Sequence, residues 1–329
     1  MADVQLTERR RVVVVGYDAA ELLDIACVTT ALNGANRIGA VPGYSVDVAT
    51  PGGRAIACDG GLTLQGQGTL ERVRGPLDTL LVTGGLGHET AADDPRIVGH
   101  VRRLAREARR VASVCTGATV LAAAGLLDGK RATTHWNYAP RLAAAYPQVT
   151  VDPAPIYIRD GRVSTAAGVT SALDLTLAFI EEDHGAELAR GVARGLVTYL
   201  HRPGNQAQMS MFMSAPAPVH SLVRRVVDHI ASRLTADLSA ATLAAGAGVS
   251  ERQLTRLFVE HLGQTPGRFV RRARTEAAGH LLASSSLPVA SVAARCGFGS
   301  AETLRQAFVA RYGVPPSRYR ATQGVRAAD

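Results

Sequence analysis

No two of the four cysteines stand close together. Cys27, Cys58, Cys115 and Cys296 lack the CxxC spacing of a zinc site and the density of a disulfide framework, so neither is expected and any cysteine function is individual. Lysine is nearly missing: Lys130 stands alone beside 35 arginines, a bias of genome composition from which no chemistry is drawn. Long apolar runs are missing as well. Arg9, Arg10 and Arg11 precede Val12 to Val15, a run too short for a signal-peptide core. Asp, Arg or Gly interrupts every later apolar stretch well short of the roughly 20 residues that a bilayer crossing needs. A cytoplasmic protein without membrane contact is expected.

What is present is a folded composition, 47% hydrophobic and 19% charged, on 329 residues, enough for two domains. Charge is divided unevenly. Over residues 1–218 basic and acidic residues balance at 21 each, while residues 219–329 hold 15 against 7. A basic excess confined to one domain is what phosphate neutralisation requires.

Across residues 11–185 the short apolar runs Val12 to Val15, Tyr44 to Ala49, Thr79 to Val82 and Val111 to Cys115 alternate with helical patterns. The helices are expected at Leu22 to Leu32, Pro95 to Arg110, Thr116 to Ala124 and Val169 to Glu182. The alternation reads as a parallel α/β sandwich of the flavodoxin-like kind. Residues 186–218 are read as a connecting helix and a linker, since HRPGNQAQMSMFMSAPAPVH differs in composition from both flanks; Met209, Met211 and Met213 are expected to pack it against one domain.

Residues 219–320 carry helical patterns only, near 219–234, 239–247, 250–262, 266–283, 288–296, 300–312 and 316–320. Within them a unit recurs: Leu254, Phe258, Gly263, Pro266 and Phe269 are matched by Leu304, Phe308, Gly313, Pro316 and Tyr319. Each copy is a helix, a glycine turn (Gly248, Gly297) and a second helix opened by a capping serine (Ser250, Ser300), the layout of a helix-turn-helix. In the first second-helix, Leu254, Leu257 and Phe258 form the apolar stripe, leaving Glu251, Arg252, Thr255 and Arg256 outward. In the other, Thr303, Leu304, Ala307 and Phe308 lie towards the core, leaving Ala301, Glu302, Arg305 and Gln306 outward. Arginine pairs with guanine edges or phosphates and glutamine with adenine. Between them, Arg268, Arg271, Arg272 and Arg274 lie on a helix expected to hold the two readers in adjacent groove segments, with Arg272 on phosphate.

The motifs LxxxAGVSERQLTRLFVEHLGQTP and VAxRCGFGSAETLRQAFVARYGVPPSRYR resemble the DNA-binding domain of the AraC/XylS family over residues 219–320. That resemblance places base contacts on Arg252, Thr255 and Arg256 and on Glu302, Thr303 and Gln306. It disagrees with the helical stripe over Thr303.

In the first domain, VASVCTGATVLAAAG sets Cys115 at a strand end with Thr116 and Gly117 opening a helix. Such an elbow exposes the side chain and aims helix amides at it, which lowers a thiol pKa. Val82-Thr83-Gly84-Gly85 ends another strand in glycines whose amides are expected to meet a bound carbonyl or carboxylate. His135 follows a further strand end and Asp24 lies in the first helix; all converge at the carboxyl ends of parallel strands, where ligands bind in such sheets. These features resemble the PfpI-like branch of the class I glutamine amidotransferase-like superfamily over about residues 11–185. The resemblance makes Cys115 the elbow cysteine, Asp24 its acidic neighbour and His135 the nearby histidine. The chain departs from it in carrying Thr116 where PfpI-like proteases have histidine, and it lacks the H-x-E pair of amidotransferases, Glu182-Asp183-His184 having the wrong order.

A PfpI-like domain ahead of an AraC-type reader is similar to the GlxA-like group of regulators. The expectation is a homodimer on double-stranded DNA, with a small-molecule effector held around Cys115, Asp24, Gly84, Gly85, Thr116 and His135, and with RNA polymerase as a partner if the chain activates. No cofactor, metal or catalytic residue is expected. The alternative is a bifunctional protein in which Cys115, with Asp24 as acid–base partner, hydrates or hydrolyses a small electrophile.

Overall fold

The computed structural model describes residues 9–198, 204, 208 and 220–322, so Met209, Met211 and Met213 and their expected packing lie outside the described residues. The chain divides into two compact units, residues 1–208 and 209–329.

The first unit alternates strands and helices. β1 (Arg10–Val15) leads to α1 (Leu22–Arg37), then β2 (Tyr44–Thr50) and three two-residue strands, β3 (Ile56–Ala57), β4 (Thr63–Leu64) and β5 (Gly68–Thr69). β6 (Leu77–Val82) precedes α2 (His88–Asp93) and α3 (Pro95–Arg106), and β7 (Ala108–Ser113) precedes α4 (Gly117–Ala123). β8 (Arg131–Ala132), α5 (Ala139–Ala145), β9 (Thr150–Val151), β10 (Tyr157–Asp160), β11 (Val163–Ala166), α6 (Thr170–His184) and α7 (Ala186–Gly195) follow. Seven strands form one sheet in the order β10-β11-β7-β6-β1-β2-β5, parallel throughout except between β10 and β11. Val12 to Val15 are all buried, as strands covered on both faces must be. The expected parallel α/β sandwich is therefore what folds. Helix α7, read from the sequence as part of the connector, packs against α1 and α6 within this unit.

One helix is shorter than its pattern. The run expected to continue to Arg110 ends at Arg106, and Arg109 and Arg110 lie in β7, held in register by Leu77 against Ala108 and Thr79 against Arg110. Two consecutive arginines look like a helix surface. Here they serve a buried ion cluster, where strand pairing and charge satisfaction override propensity.

The second unit is helical: α8 (Ser221–Ser232), α9 (Ala240–Ala247), α10 (Glu251–Leu262), α11 (Pro266–Ser284), α12 (Val289–Arg295), α13 (Ala301–Tyr312) and α14 (Pro316–Thr322), each matching an expected segment to within two residues. Local chemistry sets the boundaries. Ser250, Thr265 and Ser300 cap their helices through their side-chain oxygens, and Gly248, Gly263 and Gly313 close helices in the left-handed region, where glycine alone is unstrained. The repeat appears as matched aromatic clasps. Phe258 meets Phe269 edge-on at 5.8 Å, and Phe308 meets Tyr319 edge-on at 5.0 Å. The closing SRYR segment is structural: Tyr319 and Arg320 are buried, and Arg320 donates to the Leu287 carbonyl ahead of α12. Helix α11 spans both halves, giving Phe269, Val270 and Ala273 to one core and Ala278 and Leu282 to the other.

Candidate nucleic-acid interface and cysteine elbow

Helices α10 and α13 each follow a tight turn, each is opened by serine, and each buries one stripe: Leu254, Leu257 and Phe258 in α10, Leu304, Ala307 and Phe308 in α13. The opposite faces are polar. Glu251, Arg252 and Arg256 are exposed with Thr255 half-buried; Glu302, Arg305 and Gln306 are exposed. Thr303 falls between its two expected placements. It is half-buried at the third position of α13, with its amide and hydroxyl both on Ser300 Oγ.

The two faces differ in charge. Arg252 and Arg256 form no ion pair among the described residues, so α10 offers two free guanidinium groups. On α13, Glu302 binds Arg305 through both carboxylate oxygens, at 2.7 and 2.8 Å, and accepts from the Gln306 amide at 3.1 Å. Arg272 is less available than expected: half-buried, with its Nε 3.6 Å from Glu276, which also pairs with Arg311. Arg268 and Arg271 are the exposed arginines of α11.

In the first unit the elbow forms where β7 gives way to α4. Cys115 sits at φ 51°, in the left-handed region that a non-glycine residue occupies only under strain. Two glycines make room for it. A Cβ on Gly84 would collide with the Cys115 Cβ, and one on Gly168 would stand 3.0 Å from the sulfur. Asp24, fully buried on α1, accepts from the Gly84 amide and the Val169 amide, each at 3.0 Å. Thr116 Oγ1 accepts from the Gly85 amide and donates to the Gly85 carbonyl, both at 2.9 Å. Thr134 donates to the Cys115 carbonyl at 2.8 Å.

These bonds correct two expectations. The amides of Gly84 and Gly85 are already spent inside the protein, so they do not stand free for a ligand carbonyl. The elbow also does not lower the thiol pKa. Burial, with the Asp24 carboxylate adding to it, pushes Cys115 up to about 12, and the amide and hydroxyl of Thr116 offset this only in part. The other cysteines are raised by burial as well. Native protein at pH 7.5 should therefore resist iodoacetamide at Cys115, with alkylation following unfolding by urea; mass spectrometry showing rapid native modification there would overturn this reading.

Asp24 is raised by burial to about 7, against the pull of its two amide bonds. Its folded form keeps a proton that the unfolded chain releases near pH 4, so its contribution to stability is full below that pH and fades up to about 7. Between pH 4 and 7 the stability of Asp24→Asn should fall less steeply with pH than that of the wild type, by about one proton. Urea titrations at several pH values check it, and equal slopes would mean that Asp24 is ionised throughout.

His135 follows β8, which pairs with β9 outside the main sheet, and its ring packs on Trp136 and Tyr138. The elbow is bonded instead to Thr134. Gly168, Val169 and Thr134 are site residues that sequence reasoning missed; the available signal was a glycine between β11 and α6, the same strand–glycine–helix punctuation that marks Gly84. Glu182, Asp183 and His184 lie at the amino ends of the strands, away from Cys115. Asp183 there binds Arg109 at 2.7 Å, Arg110 and the Tyr44 hydroxyl, within a cluster that includes Arg10 and Asp78.

Comparison with known proteins places both units. The model of the DJ-1/PfpI family matches residues 10–182, and that of a helix-turn-helix domain matches residues 243–322. The chain is 32% identical over 284 residues to the HTH-type transcriptional regulator CdhR of Pseudomonas aeruginosa, covering 86% of this chain and 84% of that one. It is 32% identical over 306 residues to the HTH-type transcriptional regulator GlxA of Rhizobium meliloti, covering 92% and 93%. A crystal structure of a THiJ/PfpI family protein from Pseudomonas syringae shares the fold, with a TM-score of 0.56 at 24% identity over 70% of this chain and 90% of that one. No helix among the described residues is long and apolar enough to cross a membrane.

Proposed function

The chain belongs to the DJ-1/PfpI family and to the HTH-type transcriptional regulators that join such a domain to an AraC-type reader, and from that premise we propose how its residues read DNA and receive a signal. It is a sequence-specific DNA-binding transcription regulator. The observation that carries the reading is the pair of serine-capped helices, α10 and α13, each with one buried stripe and one polar face.

In our reading both helices enter successive major-groove segments of one duplex. Arg252, Thr255 and Arg256 meet bases from α10; Glu302, Thr303 and Gln306 do so from α13, with Arg305 on a base or a phosphate. The free guanidinium groups of α10 supply most of the affinity. The charge-paired face of α13 supplies discrimination, because Glu302, which holds Arg305 and Gln306, repels phosphate and from DNA accepts only a base donor. Phosphate contacts fall mainly to Arg268 and Arg271, Arg272 being partly engaged by Glu276.

We assign the first unit to sensing and to forming a homodimer. An effector at the elbow, near Cys115, Asp24, Thr116 and His135, biases how two chains present four readers; a coupling of about 1–3 kcal/mol suffices to change occupancy several-fold. Asp24, fully buried with its two oxygens on the Gly84 and Val169 amides, fixes the shape of the elbow, and an amide or amino-acid-derived ligand is the class that we assign to it. Contact with RNA polymerase follows if the bound state activates. Cys115-dependent hydration or hydrolysis is disfavoured because a thiol with so high a pKa offers little thiolate at pH 7.

The test uses the full chain and duplexes selected from a randomised library. Selection of a defined sequence with two separated blocks is the expected result; binding with no sequence preference at any salt would refute the proposal. A panel of amides and amino acids, read by thermal shift and then by duplex affinity, tests the sensor. Turnover of any of them that is lost in Cys115→Ala would move the first unit to the enzyme reading.

A further inference from the structure

The relative placement of the two readers is set at one seam of the second unit. Arg274, half-buried near the middle of α11, turns its guanidinium onto backbone carbonyls. Its Nε donates to the Leu234 carbonyl and its Nη2 to the Ala236 carbonyl, both at 2.9 Å. Those carbonyls belong to the loop that joins α8 to α9, in the half that carries α10. From the other half the turn after α12 closes onto the same spot. Gly297 sits there at φ 78°, and a Cβ on it would collide with the Leu234 carbonyl oxygen and stand 2.7 Å from Arg274 Nε. Beside the contact lies a cleft of about 400 Å³, lined by Asp237, Arg271, Arg274, Phe298 and Thr303, so the seam reaches the first turn of α13.

We propose that Arg274 is a positioning residue for DNA reading: by bonding the loop ahead of the first reader while the glycine turn of the second closes against it, it sets the separation and angle of α10 and α13. Arginine suits the task because a planar fork reaches two carbonyls at once, where an ammonium reaches one. Gly297 suits it because no side chain can occupy both that φ and that gap. Sequence reading set Arg274 among the basic residues of the helix expected to hold the two readers in adjacent groove segments, and two of its donors are spent on backbone carbonyls of the neighbouring loop. The inference rests on the reading that α10 and α13 are the two helices that enter the duplex.

The test compares the full-length wild type with Arg274→Ala, Arg274→Lys and Gly297→Ala on three duplexes: the one that the wild type selects from a random library, and two derivatives with one block or the other scrambled. Loss of wild-type affinity on either scrambled duplex checks the underlying reading, independently of Arg274. Given that, Arg274→Ala and Gly297→Ala should bind the intact duplex roughly tenfold or more weakly yet bind the scrambled ones within about twofold of wild type. Arg274→Lys should fall between. The dependence of log affinity on log salt should keep the wild-type slope, because no phosphate contact is removed. Equal loss on all three duplexes, with the slope reduced by about one unit, would make Arg274 a phosphate contact and overturn the proposal. An unchanged ratio of intact to scrambled affinity would overturn it too. Thermal melts accompany each variant, and if Arg274→Ala proves unfolded the ratio in Arg274→Lys decides.

Discussion

Arg256→Ala should weaken binding to the selected duplex by on the order of 1–3 kcal/mol, the range of one good arginine–guanine pair, and should relax the preference at a single base position. Arg256 is exposed on α10 and has no ion pair among the described residues, so removing it frees no buried partner and leaves the stripe of Leu254, Leu257 and Phe258 intact. The loss therefore reports contact with DNA and not a damaged helix. Single-base variants of the duplex, measured with both proteins by fluorescence anisotropy at two salt concentrations, locate the affected position. Uniform weakening across all variants, with a shallower salt slope, would assign Arg256 to phosphate and return base reading to Arg252 and Thr255.

Asp183→Ala should cost about 3–5 kcal/mol of stability in the first unit, the range for breaking a buried pair by removing one partner. The Asp183 side chain is 2% exposed and that of Arg110 is 7% exposed. Without the carboxylate, Arg10, Arg109 and Arg110 converge on the amino ends of β1 and β7 with Asp78 as their remaining buried anion. Arg110 also lies over the Phe179 ring at 4.1 Å and donates to Thr79, so it cannot swing out to water without dismantling those contacts. Burial works against the charged form of Asp183, but Arg110 and its neighbours outweigh it and hold the carboxyl below its ordinary range. The stabilisation is therefore present above the unfolded value near pH 4 and is lost as pH falls below it. The sole tryptophan, Trp136, lies in this unit, so its fluorescence follows urea unfolding of the unit. A midpoint shift worth less than about 1 kcal/mol would place the cluster among surface ion pairs of little consequence.

How far the sequence could be read depended on whether the signal was local. The helices of the second unit were legible almost to the residue, because Ser250, Thr265 and Ser300 and the closing glycines act through bonds within a few positions. The duplicated Leu–Phe–Gly–Pro–aromatic pattern then supplied the packing. The Cys115 elbow was legible for the same reason. Its electrostatics were not: helix-terminal amides argue for a reactive thiol, but the sign depends on how completely Gly84, Gly168 and Asp24 enclose the sulfur, and those residues come from three distant parts of the chain. The spent amides of Gly84 and Gly85 are a further case, because their acceptors, Asp24 and Thr116, are fixed only by the fold. Arg109 and Arg110 were misplaced on a helix since a buried charge cluster cannot be distinguished from a wet surface until its partners are known.

Helix α11 is the floor of two cores at once, under the clasp of Phe258 with Phe269 at one end and that of Phe308 with Tyr319 at the other. Duplicated units joined by an independent tether would melt in two stages. Here, losing either half strips apolar cover from the shared helix and undermines the other, so thermal denaturation of this unit should be a single cooperative transition, and damage to one reader should be felt as lowered occupancy of both.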